Sequence, residues 1–215
     1  FRLLDAFAGC GGTVVDTARV YADWVPGAPK GASEATIGRW LRSRRPAGFV
    51  VATKGGHPAL DGPGRGRLTR RDLAADVDAS REALGVDRLP LFFLHRDDPA
   101  APAGEVIGLL EEFRTAGAIG AYAASNWTLP RLEAARAHAV ARGSAGFAAS
   151  QPEWSLLRRN PGTRAPDLVA ADAAMLAWHE ATGLPMLPYS AQAQGYADKL
   201  AQGRSDEEAR RRDRP

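Results

Sequence analysis

Short continuous apolar runs take turns along this chain with stretches in which apolar positions recur every three or four residues. The runs Thr13–Thr17, Phe49–Thr53, Leu91–Leu94, Ala118–Ala124, Gly146–Ser150 and Leu184–Pro188 read as six strands. Most are apolar without alternation, as strands covered on both faces require. Between them, Val106, Leu109, Leu110 and Phe113 fall at i, i+3, i+4 and i+7 and make one helical stripe. Thr69 followed by Asp72 has the form of a capping box, and Leu73, Val77 and Leu84 continue a stripe behind it. Thr128 with Pro130 predicts another helix start, and Ser33-Glu34 a third, its carboxylate near the positive end of the dipole. A last helix is predicted over Asp167–Thr182, stopped by Gly183 and Pro185.

Alternating strands and helices imply a mostly parallel sheet, either closed as a barrel or open and doubly wound. The residues at the strand ends decide between these. In order they are Asp16, Lys54, His95, Ser125-Asn126, Gln151 and Tyr189-Ser190, so a polar group follows every predicted strand. An open sheet concentrates its ligand groups at one switch point, whereas a barrel turns every strand end toward one mouth. The pattern favours the barrel. The glycine-rich stretches Asp61–Arg67 and Gly9–Gly12 match no phosphate-binding loop and read as turns.

Composition adds mainly exclusions. The 215 residues, 45% hydrophobic and 25% charged, suit one domain with a sizeable core. No apolar run approaches the roughly 18–20 residues of a membrane span, so no membrane partner is expected. Cys10 stands alone, which leaves no disulfide or thiolate zinc site within one chain, and no metal is expected. A cytoplasmic setting follows as the default. Lysine supplies only Lys30, Lys54 and Lys199 of the 28 positive charges, and the net charge is +3. Arg210-Arg211-Arg212 is interleaved with Asp206, Glu207, Glu208 and Asp213, so it reads as a solvated tail and not a nucleic-acid surface. Residues 1–200 then form the barrel domain and 201–215 a charged, flexible segment. Cys10 reads as a small core residue, His57 as a loop residue, and His138 and His179 as solvated helix histidines.

Taken singly, each strand-end residue has a plain reading: Asp16 caps a turn, Lys54 pairs at the rim, His95 packs, and Tyr21 plugs a gap. Their order carries more. Val15–Tyr21 (VDTARVY), Ala52-Thr53-Lys54, Leu94–Asp98 (LHRDD), Gly120–Trp127 (GAYAASNW), Gln151–Leu157 (QPEWSLL) and Pro188-Tyr189-Ser190 together resemble the aldo-keto reductases. The resemblance implies a (β/α)8 TIM-type barrel. Such a barrel takes about 250 residues. In the family's order Asp16 ends the second strand and Tyr189 the seventh, so the resemblance implies that the predicted strands are the second through seventh, that Phe1–Gly11 is the tail of the first helix, and that the first and eighth strands lie outside this stretch. The chain, opening on Phe1 and not Met, reads as part of something longer.

The resemblance further implies an NAD(P)H-dependent reduction of a carbonyl by hydride transfer, with Asp16, Tyr21, Lys54 and His95 as a catalytic tetrad. A phenol, with an ordinary pKa of about 10, is a slow acid at neutral pH, and a neighbouring ammonium favours its ionised form. Tyr21 would act as the general acid beside Lys54, Asp16 would orient Lys54, and His95 would polarise the carbonyl. Ser125, Asn126 and Gln151 suit a nicotinamide carboxamide, Tyr189 a stacking face, and Ser190 a pyrophosphate contact. Trp24 and Trp127 are candidate walls of a substrate pocket or packing aromatics. NADPH is the family's usual cofactor, NADH stays open, and the partner is a small carbonyl compound. Other readings are a nicotinamide-binding regulatory or redox-sensing subunit and an aldolase with Lys54 as Schiff-base nucleophile. Substrate identity and oligomeric state are left open.

Overall fold

The computed structural model describes residues 1–61, 64–157 and 165–204. The chain runs α1 (Arg2–Gly9), β1 (Val14–Asp16), α2 (Ala32–Arg44), β2 (Val50–Gly55), α3 (Arg70–Leu84) and β3 (Leu89–Leu94). It continues with α4 (Ala103–Thr115), β4 (Ile119–Ser125), α5 (Leu129–Arg142), β5 (Ser150–Gln151), α6 (Ala173–Thr182) and a short α7 (Tyr196–Ala201). Residues 205–215, which hold most of the predicted charged tail, lie outside the described residues.

The strands pair in parallel, and their order in the sheet is their order in sequence, β1-β2-β3-β4-β5. No switch point interrupts that order, so the doubly wound alternative is excluded. The sheet is also curled. Strands lie about 4.8 Å apart, which would hold β1 and β5 about 19 Å apart in a flat sheet. Yet the Gln151 side chain on β5 donates from Nε2 to Asp16 Oδ1 on β1 at 3.3 Å. Two side chains cannot span that distance unless the sheet bends round. The architecture is a partial (β/α)8 barrel.

Alternation along the strands sorts side chains onto two faces. Val51, Phe92, Leu94, Tyr122 and Ala124 pack outward against the helices in the main core. Ala52, Phe93, Ala123 and Ala149 form a smaller cluster on the inner face, with Leu91 and Leu187 against it. Helix α3 starts at the expected cap: Thr69 Oγ1 accepts from the Asp72 amide at 3.2 Å and donates to the Asp72 carboxylate at 2.7 Å. Thr128 precedes α5 as expected, but its side chain makes no capping bond.

Two predicted elements change at the β5 side. Leu184–Pro188 forms no strand of its own, only a parallel bridge between Met186 and Ser150. Pro185 and, opposite, Pro152 lack the N–H groups that would donate between these segments, so the ladder there is interrupted. The predicted Gly146–Ser150 strand contracts to Ser150–Gln151, with Pro152 ending it. Helix α6 starts at Ala173 and not Asp167, because residues 168–171 run extended beside Glu153. The Glu153 amide donates to the Val169 carbonyl (2.8 Å) and the Ala171 amide to the Glu153 carbonyl (2.9 Å). Asp172 then caps the helix through the Met175 amide at 2.8 Å.

Two single-residue expectations also fail. Cys10 is exposed, at the turn that ends α1. His179 is buried, not solvated. Its Nε2 meets Ser150 Oγ at 2.8 Å and its Nδ1 the Leu184 carbonyl at 2.7 Å, tying α6 to the last strand positions. No helix among the described residues is long and apolar enough to cross a membrane.

Candidate active site

Parity along the strands builds the site. Lys54 and Phe93 are register partners, as are Phe93 and Ala123, and Ser125 and Gln151. Asp16, Lys54, Ser125 and Gln151 therefore share the inner face with the small inner cluster, and His95 follows two residues after Phe93. In parallel strands these positions gather at the carboxyl ends. That end is the mouth.

Lys54 lies at its centre, 1% exposed at the side chain. Its ammonium has three N–H groups and three acceptors: Asp16 Oδ2 at 2.6 Å, the Thr17 carbonyl at 2.8 Å and Tyr21 Oη at 3.3 Å. A buried ammonium is costly unless paired and hydrogen-bonded, and here it is both. Because Lys54 donates to the Tyr21 oxygen, the phenolic hydrogen itself remains available for another acceptor. Asp16 is 40% exposed, so the ion pair borders the open mouth.

The loop after β1 holds Tyr21. Thr17 and Arg19 extend the ladder, their amides donating to the Ala52 and Lys54 carbonyls at 2.9 Å each. Arg19 also pairs with Glu34 on α2, which accepts from Thr53 Oγ1 at 2.5 Å. Burial pushes the Glu34 carboxyl above its ordinary value. Thr17 Oγ1 and Ser33 Oγ share a further bond at 2.8 Å, so the loop is pinned on both sides of the strand.

His95 packs edge-on against Tyr21, with ring centroids 5.6 Å apart. Burial first, then the charges of Lys54, Arg96 and His57, hold its pKa well below the ordinary imidazole value, so the ring is neutral near pH 7. Its Nδ1 is buried without a partner among the described residues. Arg96 braces the turn behind it, donating to the His95 carbonyl at 2.9 Å and to Asp167 at 2.8 Å.

The second predicted set assembles beside the first. Asn126, in the left-handed region at φ 60°, donates from Nδ2 to the His95 carbonyl (3.3 Å) and to Ser125 Oγ (3.1 Å). Its Oδ1 accepts from the Val169 amide (3.1 Å) and the Tyr189 hydroxyl (2.8 Å). Both N–H groups and both lone pairs of that amide are thus engaged. Ser125 Oγ donates to the Gln151 carbonyl at 2.9 Å, and Gln151 reaches Asp16. Ser190, at φ 57°, lies next to this set without a side-chain bond to it.

The two tryptophans separate. Trp24 is 61% exposed and stands edge-on to Tyr21 with centroids 5.9 Å apart, at the rim. Trp127 is 2% exposed in the outer core, against Phe147 and beneath the Arg131 guanidinium 4.7 Å from its ring. That placement corrects the pocket expectation for Trp127, which leaves no face for a substrate. One neighbour was missed from sequence: His57 packs edge-on against His95 with centroids 4.8 Å apart.

Fold and site define the class as a (β/α)8-barrel protein whose mouth couples a buried lysine to a tyrosine, a carboxylate and a neutral histidine. The chain belongs to the aldo-keto reductase family, whose pattern it matches over residues 1–214. It is 32% identical over 148 residues to aldo-keto reductase str7 of Strobilurus tenacellus, covering 65% of this chain and 38% of that protein. With the oxidoreductase YrpG of Bacillus subtilis it shares 30% identity over 165 residues, 74% of this chain and 50% of the relative. The chain thus spans half the length or less of these relatives. The crystal structure of an aldo/keto reductase from Klebsiella pneumoniae in complex with NADP and acetate superposes with a TM-score of 0.68. That match has 22% identity and covers 96% of this chain and 60% of the other, which supports the fold.

Proposed function

We propose that this chain carries the active-site face of an NADPH-dependent reductase that converts an aldehyde or ketone to an alcohol. One observation carries the reading: the Lys54 ammonium donates to Tyr21 Oη at 3.3 Å while anchored on Asp16 at 2.6 Å. A Schiff-base lysine would need a free, neutral amine. Lys54 is instead buried, paired and saturated with acceptors, which argues against the aldolase reading.

The donor set suits a nicotinamide ring. Ser125, Asn126 and Gln151 are buried amide and hydroxyl groups in one row, and the Tyr189 hydroxyl at Asn126 Oδ1 can be exchanged for a carboxamide N–H without loss of a bond. The cofactor, when bound, supplies the hydride. The chain's own residues do the rest. Tyr21 delivers its O–H proton to the carbonyl oxygen as that oxygen gains charge, and Lys54 stabilises the phenolate left behind. His95, neutral, polarises the carbonyl from the other side, and Trp24 walls the entrance.

The test is Tyr21→Phe. Turnover of an aldehyde panel should fall at least about 100-fold, while NADPH affinity, measured by fluorescence on the same preparation, stays within twofold. Parent-like turnover would remove Tyr21 from the mechanism. A form that also carries the first and eighth strands, binds NADPH and turns nothing over would favour the regulatory-subunit reading.

A further inference from the structure

His57 has no part in the chemistry above, yet the local fold devotes several interactions to placing it. β2 ends in Gly55-Gly56. A Cβ on Gly55 would come within 2.7 Å of the Phe92 ring, and Gly56 sits at φ +72°. The Gly56 amide donates to Asp76 Oδ2 at 2.8 Å. Arg67 bridges Asp76 Oδ1 and the His57 carbonyl, at 3.0 Å each. This frame turns the chain back over the mouth and sets the His57 ring against His95. Trp24, Tyr21, His95 and His57 then form one row of rings with successive centroids 5.9, 5.6 and 4.8 Å apart.

The tautomer of His57 follows from its own contact. Nδ1 lies 2.7 Å from the Pro58 carbonyl oxygen. A carbonyl only accepts, so Nδ1 carries the hydrogen and Nε2 of the neutral ring presents a lone pair. Burial keeps the ring neutral, aided by the Arg96 and Arg67 charges and opposed by the Pro58 bond and Asp167. None of the hydrogen bonds among the described residues engages Nε2. One end of the row therefore offers an acceptor, and the Tyr21 hydroxyl, on the other side of His95, offers a donor.

We propose that His57 is a specificity-determining residue: Nε2 accepts a hydrogen bond from a hydroxyl on the carbon beside the reacting carbonyl, so that α-hydroxy carbonyl compounds are the preferred substrates. In such a compound the carbonyl oxygen would meet Tyr21 and His95, and the hydroxyl beside it would meet His57. This rests on the reductase reading, and the test separates the two.

Hydroxyacetone and butanone have the same shape and differ in one hydroxyl against one methyl. With NADPH, the parent should favour hydroxyacetone in kcat/KM by roughly five- to tenfold, the worth of one hydrogen bond. His57→Phe keeps an aromatic ring against His95 but has no lone pair, and its ratio should fall to near one. A parent without the preference, or a variant that keeps it, overturns the proposal. Nitrogen-15 spectra of the parent with NADP+ give a readout that needs no turnover. His57 should show protonated Nδ1 and bare Nε2 at pH 7, with Nε2 shifting on addition of hydroxyacetone and not of butanone. The opposite tautomer, or equal responses to the two ketones, overturns it as well. If the parent reduces neither ketone, turnover of the aldehyde panel decides the reductase reading and the spectra decide on His57.

Discussion

Lys54→Met separates what the lysine does for the fold from what it does for the site. The ammonium is buried and directs its three N–H groups at Asp16 (2.6 Å), the Thr17 carbonyl (2.8 Å) and Tyr21 (3.3 Å). Methionine is similar in length and uncharged, so the space stays filled. Three terms then compete. The ammonium no longer has to be taken out of water, a relief of several kcal/mol. Its attraction to Asp16 disappears, but Asp16, at 40% exposure, returns to water and is not stranded as a buried charge. The Thr17 carbonyl and Tyr21 hydroxyl each lose a donor, at about 0.5–1.5 kcal/mol apiece. The sum should stay within about 2 kcal/mol of the parent, a midpoint shift of at most about 8 °C for a chain of this size. Turnover should nevertheless fall about 100- to 10,000-fold, the range for losing assistance to a general acid. Thermal unfolding followed by circular dichroism and NADPH oxidation with an aldehyde, on one preparation, read both effects. A variant more than about 4 kcal/mol less stable would make Lys54 a structural clamp, and turnover within threefold of the parent would refute its coupling to Tyr21.

The depressed pKa of His95 has a stability consequence of definite sign. An unfolded histidine takes up its proton near pH 6.5 and the buried ring does so only well below that, so stability falls as pH drops below about 6.5, by up to about 1.4 kcal/mol per unit. Urea unfolding at pH 7.5 and 5.5 should show the parent losing more than His95→Gln does; equal losses would contradict the assignment, because His57 contributes to both. Tyr189→Phe removes the hydroxyl bound to Asn126 Oδ1 and keeps the ring, so NADPH should bind up to about tenfold more tightly by fluorescence titration. Weaker binding would mean that the hydroxyl is a ligand and not a competitor.

The central strands were legible because they are covered on both faces: β2, β3 and β4 are mainly apolar runs, and each was found within about two residues of its ends. The β5 side was not, since its pairing is decided by backbone groups that hydropathy does not report. Residues 168–171 are an unbroken apolar run that hydropathy cannot tell from the start of a helix, and Val169 and Ala171 are drawn into extended structure by Glu153 and Asn126. His179 has the sequence surroundings of a surface histidine, with Glu180 beside it, and is buried because Ser150 and the Leu184 carbonyl satisfy both ring nitrogens. A buried polar group is made affordable by partners far along the chain, and local pattern carries no trace of them.

The site was more legible than the elements that carry it, and parity explains why. Once strands run parallel in sequence order, a residue's face is fixed by counting in twos from any core position, so Asp16, Lys54, His95, Ser125 and Gln151 fall on one side whatever the exact strand ends. Trp127, two residues beyond Ser125, lies past the strand end, where counting no longer applies: the chain turns at Asn126 with φ 60° and sends the ring into the outer core. His57 escaped for the converse reason, because two glycines follow Lys54 and the count is lost at Gly56. The signal that could have recovered it was the glycine pair itself. Adjacent glycines directly after a strand-end lysine mark a close approach or a reversal, and either one aims the next side chain back over the mouth. Here both occur, with Phe92 and Asp76 crowding Gly55 and a positive φ at Gly56. By the same reasoning, alanine at Gly55 would push β2 away from Phe92 and move Lys54 with it, so that position bears on the site even though it offers no chemistry of its own.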